Sequence, residues 1–366
     1  MRVAMDEQIF AIQRYGGISR LFFELAKQFT TSSAHGVDLQ PINAPIVNRY
    51  VLDNPEVRTA LQASEAPSSV RALATYFSHR TNARGADIIH NTFYLPHGLA
   101  GAKGAKRIVT VHDMIPEILP KTRRRLDFLT MKRRYVHQAD HIICVSAATR
   151  GDLVRLYPDI SAPISIVHHG VDPVFKPNIP RWSDLPTEYI LFVGNRGQYK
   201  DADILMKAFA QFTKSNPDIT LLFVGGGEFT AKELKLANSL QIHKQISQRS
   251  LPDAEMSSAY GNALFTVFPS RFEGFGLPTL ESMACGTATI LADATSLPEV
   301  GGEAALYFNS GDVTDLATKM LTLSSDSKLR ANLEVAGIEQ AGKFSWANCA
   351  HQTAAVYRET LDRARQ

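Results

Sequence analysis

No run in this chain approaches the roughly 18 consecutive apolar residues that a membrane-spanning helix needs, so the sequence offers no transmembrane segment. The opening Met1-Arg2-Val3-Ala4-Met5-Asp6-Glu7 turns acidic too early for a secretory signal, and the expected location is cytoplasmic. Cysteine is scarce. Cys144, Cys285 and Cys349 lie far apart inside apolar strand or helix patterns, a spacing that fits neither a zinc site nor a disulfide framework and implies buried free thiols. An excess of one charge is lacking too: 39 Lys and Arg against 36 Asp and Glu leave +3, which argues against nucleic acid as a partner. Low-complexity tracts are absent, and no repeat is visible beyond two similar halves.

What is present is an alternation of apolar runs and helical periodicities over 366 residues, too many for one core. Strands are expected at Arg2–Met5, Val37–Pro41, Asp87–His90, Arg107–Val111, His141–Ser146 and Ile164–Val167. A second set follows at Tyr189–Gly194, Ile219–Val224, Ala263–Phe268, Thr287–Leu291 and Ala304–Phe308. Helices fill the intervals, which predicts α/β architecture with parallel sheets and right-handed crossovers. A helix is also expected over 70–84 in an otherwise poorly legible stretch. Four prolines between Pro173 and Pro186, with few apolar residues, read as a linker and place the domain boundary there. The expected division is 1–172 and 173–345, followed by a final helix over 346–366.

The most informative stretch runs from Ser270 to Gly286, Ser-Arg-Phe-Glu-Gly-Phe-Gly-Leu-Pro-Thr-Leu-Glu-Ser-Met-Ala-Cys-Gly. A buried strand precedes it and a helix starts near Leu277, with proline in the first turn where its missing N–H costs nothing. The free N–H groups at that helix start favour an anion such as phosphate. Glu273 in the loop and Glu281 in the second turn can both face a ligand held there. Gly16-Gly17, at a junction leading into a helix, permits close approach of backbone to phosphate or sugar, or is a plain tight turn. His112 sits where a strand ends, the place where open parallel sheets hold ligands. In the loop Gly194-Asn195-Arg196-Gly197-Gln198-Tyr199-Lys200, the two cations can clamp both phosphates of a nucleotide diphosphate. Asp201 and Asp203 are expected as helix-capping and dipole-complementing residues rather than metal ligands. Seven basic residues between Lys121 and Arg134 form either a solvated face or an attraction for an anionic acceptor or membrane.

The Glu-Gly-Phe-Gly-Leu-Pro turn and the following Glu-Ser-Met-Ala-Cys-Gly resemble the signature of the retaining GT-B glycosyltransferases called glycosyl transferases group 1. Val111-His112-Asp113-Met114-Ile115-Pro116-Glu117 and Val193-Gly194-Asn195-Arg196-Gly197 look most like bacterial enzymes of that family that assemble cell-surface polysaccharides. The resemblance implies two Rossmann-like domains facing a cleft, with the last helix crossing back to the first domain. It further implies that Glu273 meets the donor sugar, that Glu281 holds the ribose hydroxyls, and that Gly16-Gly17 and His112 approach the donor. Arg196 and Lys200 would bind the diphosphate, with Gly194, Phe275, Gly276 and Leu277 completing the donor site. No cofactor or obligatory metal is implied; the nucleotide sugar is a substrate. The implied reaction moves a hexose to a glycan or lipid-linked acceptor, with peripheral contact at the inner membrane face through Lys121–Arg134. UDP-sugars such as UDP-glucose are the favoured donors, and mannosyltransferase relatives keep GDP-mannose open. The segment Gln245–Ser250 is expected near the base. The alternatives are a nucleotide-sugar epimerase of the same architecture and a non-catalytic nucleotide-sugar sensor.

Overall fold

Parallel sheets organise the chain, because its apolar runs are buried on both faces and read as continuous hydrophobic strands. The computed structural model describes residues 1–66, 83, 85–96, 104–119 and 124–365. Two compact units result, one of Met1–Gly170 with Trp346–Gln366 and one of Val171–Ser345. The helix expected over 70–84 lies outside the described residues except for Ala83, and so do Lys121 and Arg123.

In the first unit the sheet comprises β1 (Arg2–Met5), β2 (Asp38–Leu39), β3 (Ile88–Asn91), β4 (Lys106–Val111), β5 (His141–Cys144) and β6 (Ile164–Ile166), in the order β2-β1-β3-β4-β5-β6. Met5 stands opposite His90, and Val111 opposite Cys144, in a wholly parallel ladder. The expected strand at 37–41 shrinks to two residues at the sheet edge, where Pro41 has no N–H to extend the ladder. Helix α1 (Gly17–Thr31) buries Leu21, Phe22, Leu25 and Phe29, spaced at three and four, and α2 (Arg124–His137) lies further along the unit.

The second unit repeats the plan with β7 (Tyr189–Val193), β8 (Thr220–Val224), β9 (Ile246–Arg249), β10 (Phe265–Phe268), β11 (Thr289–Ala292) and β12 (Leu306–Phe308), in the order β9-β8-β7-β10-β11-β12. Its helices include α3 (Ala202–Phe212), α4 (Ala231–Ser239), α5 (Asp253–Gly261) and α6 (Leu277–Ala284). The chain runs outward from β7 to one edge and then returns to build the other from β10. Loops leaving the carboxyl ends of β7 and β10 therefore diverge and open a crevice, as at any such topological switch point. The first unit has its own switch between β1 and β3.

The proline-rich stretch is not a free linker. Phe175 and Leu185 are buried, the Trp182 N–H donates to Ser258 Oγ at 2.8 Å, and Ser257 Oγ donates to the Val174 carbonyl at 2.7 Å. The stretch is strapped along α5, because its few apolar residues find a surface there.

Helix α7 (Trp346–Arg363) packs against α1 within the first unit and buries Cys349, Ala350, Ala354 and Tyr357. Tyr357 hydrogen-bonds His90 Nδ1 at 2.6 Å, while His90 Nε2 meets Thr110 Oγ1 at 2.7 Å. Burial drives the His90 pKa down to about 3, and burial does the same to His169, which stacks on Trp346 at 5.8 Å. Both rings fold neutral. An unfolded histidine takes up a proton below about pH 6.5, so the unfolded chain binds more protons than the folded one there. Stability should be fully present above pH 6.5 and fall as the pH drops towards 3, by up to ~1.4 kcal/mol per pH unit for each ring. Urea unfolding followed from pH 7 to 5 should show this decline, and a pH-independent midpoint would contradict it.

Candidate functional site

The switch point of the second unit gathers most of the residues singled out above. Gly194 follows β7 with φ +131°, and its N–H donates to the Val224 carbonyl at 2.9 Å, which turns the loop 194–200 out of the sheet. Beyond β10, the loop carrying Glu273 leads into α6, where Gly276 is the N-cap at φ +105° and Pro278 lies in the first turn. The positive φ favours glycine at 276, and a Cβ there would also sit tightly against Leu297 Cδ2 at 3.2 Å. Leu277 opens the helix.

Across this crevice Lys200 Nζ donates to Glu273 Oε1 at 2.5 Å, in an ion pair whose side chains are 16% and 13% exposed. Several contacts brace the two loops that carry it. The Arg271 N–H donates to the Tyr199 carbonyl at 2.9 Å, and Arg271 Nε pairs with Asp201 Oδ2 at 2.6 Å. The Glu273 N–H donates to Thr295 Oγ1 at 3.0 Å, and Ser296 Oγ donates to the carbonyls of Glu273 and Phe275 at 3.1 and 2.9 Å. Glu281, in the second turn of α6, accepts the Tyr260 hydroxyl on Oε2 at 2.8 Å. Tyr260, Thr295 and Ser296 are missed by sequence reasoning. The signal for the last two was available: Thr295-Ser296 follows β11 at the same carboxyl edge of the sheet.

Three expectations need correction. Arg196 is not presented as half of a phosphate clamp. Its side chain is 3% exposed, with Nε on Glu233 Oε1 at 2.7 Å and the other nitrogens donating to the carbonyls of Gly225, Gly227 and Glu228 at 2.8–2.9 Å. The Gly225-Gly226-Gly227 run wraps that guanidinium with φ of 87°, 72° and 72°. A Cβ at Gly226 would come within 2.9 Å of Arg196 Nη1. Helix α4 begins later, on a Thr230–Glu233 capping box, and Glu233 serves both cap and arginine. Although burial opposes it, the Thr230 hydrogen bonds and Arg196 hold the Glu233 carboxyl below its usual pKa. The second correction concerns Phe275, which turns inward, 4% exposed and edge-on to Phe344 at 5.9 Å. The third concerns Asp201. It occupies the N-cap of α3 at φ +51° but makes no capping hydrogen bond, its carboxylate being turned to Arg271. Burial raises its pKa against that partner. Asp203 does lie in the first turn of α3 and pairs with Lys232 at 3.2 Å.

The remaining candidates belong to the first unit. Gly16 is the N-cap of α1 and Gly17 its first residue; Gln13 Oε1 accepts the Ser19 N–H at 2.9 Å and so caps the helix. His112 follows β4 directly, 7% exposed, with Phe22 of α1 edge-on at 5.9 Å. Neither ring nitrogen has a hydrogen-bond partner among the described residues. Burial, reinforced by the neighbouring His169, Lys132 and His90, holds its pKa well below 6.5, so the imidazole is neutral at pH 7. The basic helix is also less basic outward than its sequence suggests: Lys132 is buried and Arg133 pairs with Asp159 at 3.0 Å. Among the described residues, no group of three His, Cys, Asp or Glu is placed to hold a metal ion, and no helix is long and apolar enough to cross a membrane.

Two family descriptions match the chain, one largely on each unit. Residues 180–340 match Glycosyl transferases group 1, and residues 15–175 match Glycosyltransferase Family 4. The chain is 29% identical to the O-antigen chain mannosyltransferase B of Escherichia coli over 73% of its own length and 72% of that protein. To the alpha-maltose-1-phosphate synthase of Mycolicibacterium smegmatis it is 28% identical over 98% of its length and 99% of that enzyme. Among solved structures, Anabaena HepE in complex with UDP and glucose gives a TM-score of 0.74 at 16% identity, covering 98% of this chain and 100% of that one. WaaG, a glycosyltransferase involved in lipopolysaccharide biosynthesis, gives 0.73 at 16% identity over 97% and 99% of the two chains. At these identities the structural likeness is one of fold.

Because Arg196 and Glu233 are both nearly buried, removing one strands the other's charge. Arg196→Met should destabilise the second unit by about 3 kcal/mol, read as a lower thermal midpoint. An unchanged midpoint would show that the arginine is not held as described.

Proposed function

Because residues 180–340 belong to the glycosyl transferases group 1 and residues 15–175 to glycosyltransferase family 4, on a GT-B architecture, we propose that this enzyme transfers a hexose with retention from a nucleoside diphosphate sugar. The acceptor in this proposal is a glycan or lipid-linked glycan of cell-surface polysaccharide synthesis. The observation that carries the reading is the meeting of Lys200 and Glu273 across the switch point of the second unit, 2.5 Å apart, beside the N-terminus of α6.

An ion pair this close is neutral overall and makes an entering donor exchange partners. The diphosphate takes Lys200 and the positive end of the α6 dipole, while Glu273 is released to a sugar hydroxyl. As the glycosidic bond breaks, negative charge grows on the leaving phosphate, and a fixed cation and helix dipole stabilise it without reorganisation. No metal is needed for this step in the proposal. Glu281, oriented by Tyr260, accepts the ribose hydroxyls. His112, held neutral, can donate from one nitrogen and accept at the other, which suits a sugar hydroxyl better than an imidazolium would. Arg196 is left with a structural role, since its donors are committed. Retention follows from front-face displacement, with the leaving diphosphate taking the acceptor's proton; a glycosyl-enzyme trapped on Glu273 would overturn this route.

UDP is the proposed nucleotide, supported by the UDP and glucose bound to the similarly folded Anabaena HepE. A mannose donor is the second reading, favoured by the mannosyltransferase relatives. Attraction of an anionic acceptor to the exposed part of the basic helix α2, and through it peripheral membrane contact, belongs to the same proposal.

Three measurements test this reading. Lys200→Met should lower the rate of transfer or donor hydrolysis on the order of a hundredfold, and a loss under threefold would remove the lysine from the reaction. Glu281→Gln should mainly weaken donor binding, whereas Glu273→Gln should mainly slow turnover; the reverse pattern would refute the assignment. In a thermal-shift comparison, the cognate nucleotide at ~100 times its dissociation constant should stabilise by about 2.7 kcal/mol. A shift with GDP and none with UDP would transfer the proposal to the second reading.

A further inference from the structure

His112 poses a problem of orientation. Its ring is 7% exposed, neither nitrogen has a partner among the described residues, and its ring neighbour Phe22 offers an edge rather than a hydrogen bond. No side-chain contact of that kind fixes the imidazole, so its aim depends on the backbone that carries it. The segment after it makes a tight turn, with the Ile115 N–H donating to Asp113 Oδ1 at 3.0 Å. The carbonyl of Asp113 receives a different donor: Lys132 Nζ, from α2, at 2.5 Å.

That lysine is not part of the solvated face its neighbours form. Its side chain is 2% exposed, and its ammonium also donates to Glu117 Oε2 at 3.1 Å, itself only 7% exposed. Glu117 Oε1 accepts the Tyr157 hydroxyl at 3.0 Å. The ammonium lies 5.8 Å from the ring centre of Tyr94, whose hydroxyl donates to the Thr110 carbonyl at 2.7 Å on the strand that ends at His112. A buried ion pair is a weak source of stability, because an apolar pair of the same volume avoids the cost of desolvating two charges. What the ammonium supplies that an apolar side chain cannot is a directed bond to one carbonyl, placed one residue beyond His112.

We propose that Lys132, held in place by Glu117, is a positioning residue for His112: it pins the Asp113 carbonyl and thereby sets the direction of the imidazole towards the donor. The proposal rests on the reading of His112 given above. Lys132 touches neither substrate nor the reacting atoms. Its influence should appear in turnover and should vanish when the imidazole it positions is absent.

The test is a cycle between Lys132→Met/Glu117→Gln, which removes both charges and strands neither, and His112→Ala. Turnover and KM are measured with UDP-glucose, or with GDP-mannose if the nucleotide screen selects GDP, and each variant is checked for an unchanged thermal midpoint. In the otherwise native chain the paired substitution should lower kcat by about tenfold or more and leave KM for the donor within about twofold. In the His112→Ala background it should lower kcat no further. If the paired variant folds poorly, Lys132→Gln/Glu117→Gln is equally neutral, keeps a partner for Tyr157 and replaces the ammonium with a shorter, weaker donor. It should give a smaller loss in kcat, again absent without His112. Native kcat in a folded paired variant would overturn the proposal, as would an equal fold loss in both backgrounds, which assigns the pair to structure alone. If His112→Ala itself leaves turnover unchanged, the reading of His112 fails and this proposal with it, whereas loss of turnover in Lys200→Met alone would still uphold the wider function.

Discussion

The Lys200–Glu273 ion pair is the contact that the strand order of the second unit and its bracing contacts make possible. Each residue lies on a loop leaving one of the two strands that flank the switch point, so the pair exists only if the sheet order is right and both loops are held. The holding is done by contacts of short range: Arg271 to Tyr199 and Asp201 on one side, and Thr295 and Ser296 to the Glu273 loop on the other. With side chains 16% and 13% exposed, the charges are shielded enough to attract strongly yet open enough to change partners. A deeper pair would not release; a fully exposed one would be screened and disordered.

The first unit uses charge in the opposite manner. His90, His112 and His169 are all driven towards neutrality by burial, and the buried cation among the described residues near them, Lys132, is satisfied by Glu117 and the Asp113 carbonyl. One unit thus holds buried neutral rings and the other a partly exposed pair of opposite charges.

Much of this was legible in the chain alone. Strands with continuous apolar runs were unmistakable, since burial on both faces leaves no polar alternation to confuse the reading. The Gly276-Leu277-Pro278 junction was equally clear, because few sequences permit a positive φ followed at once by a helix start. Arg196 was misread for a physical reason. A guanidinium in a glycine-flanked loop looks like a phosphate ligand, and nothing local reveals that three carbonyls and a carboxylate, some 30 to 37 residues later, will take its donors. Phe275 and Lys132 show the same blindness to direction: an aromatic in a binding motif turned into the core, and a lysine in a basic run turned inward. The proline-rich stretch at 173–186 misled because prolines report where regular structure stops, not whether the chain is packed.

The sequence by itself determined the elements, their alternation, the duplicated plan and the identity of the motif that ends β10. These rest on periodicity, on glycine and proline stereochemistry and on apolar burial, all of which act within a few residues. Which charges meet, which are spent on structure and which stay available was decided only by the tertiary fold. Lys200 and Glu273 lie 73 positions apart, and Lys132 lies 19 from the carbonyl it holds. A hydrogen bond depends on direction and distance at the ångström scale, and only the packed strand order brings such groups to that range.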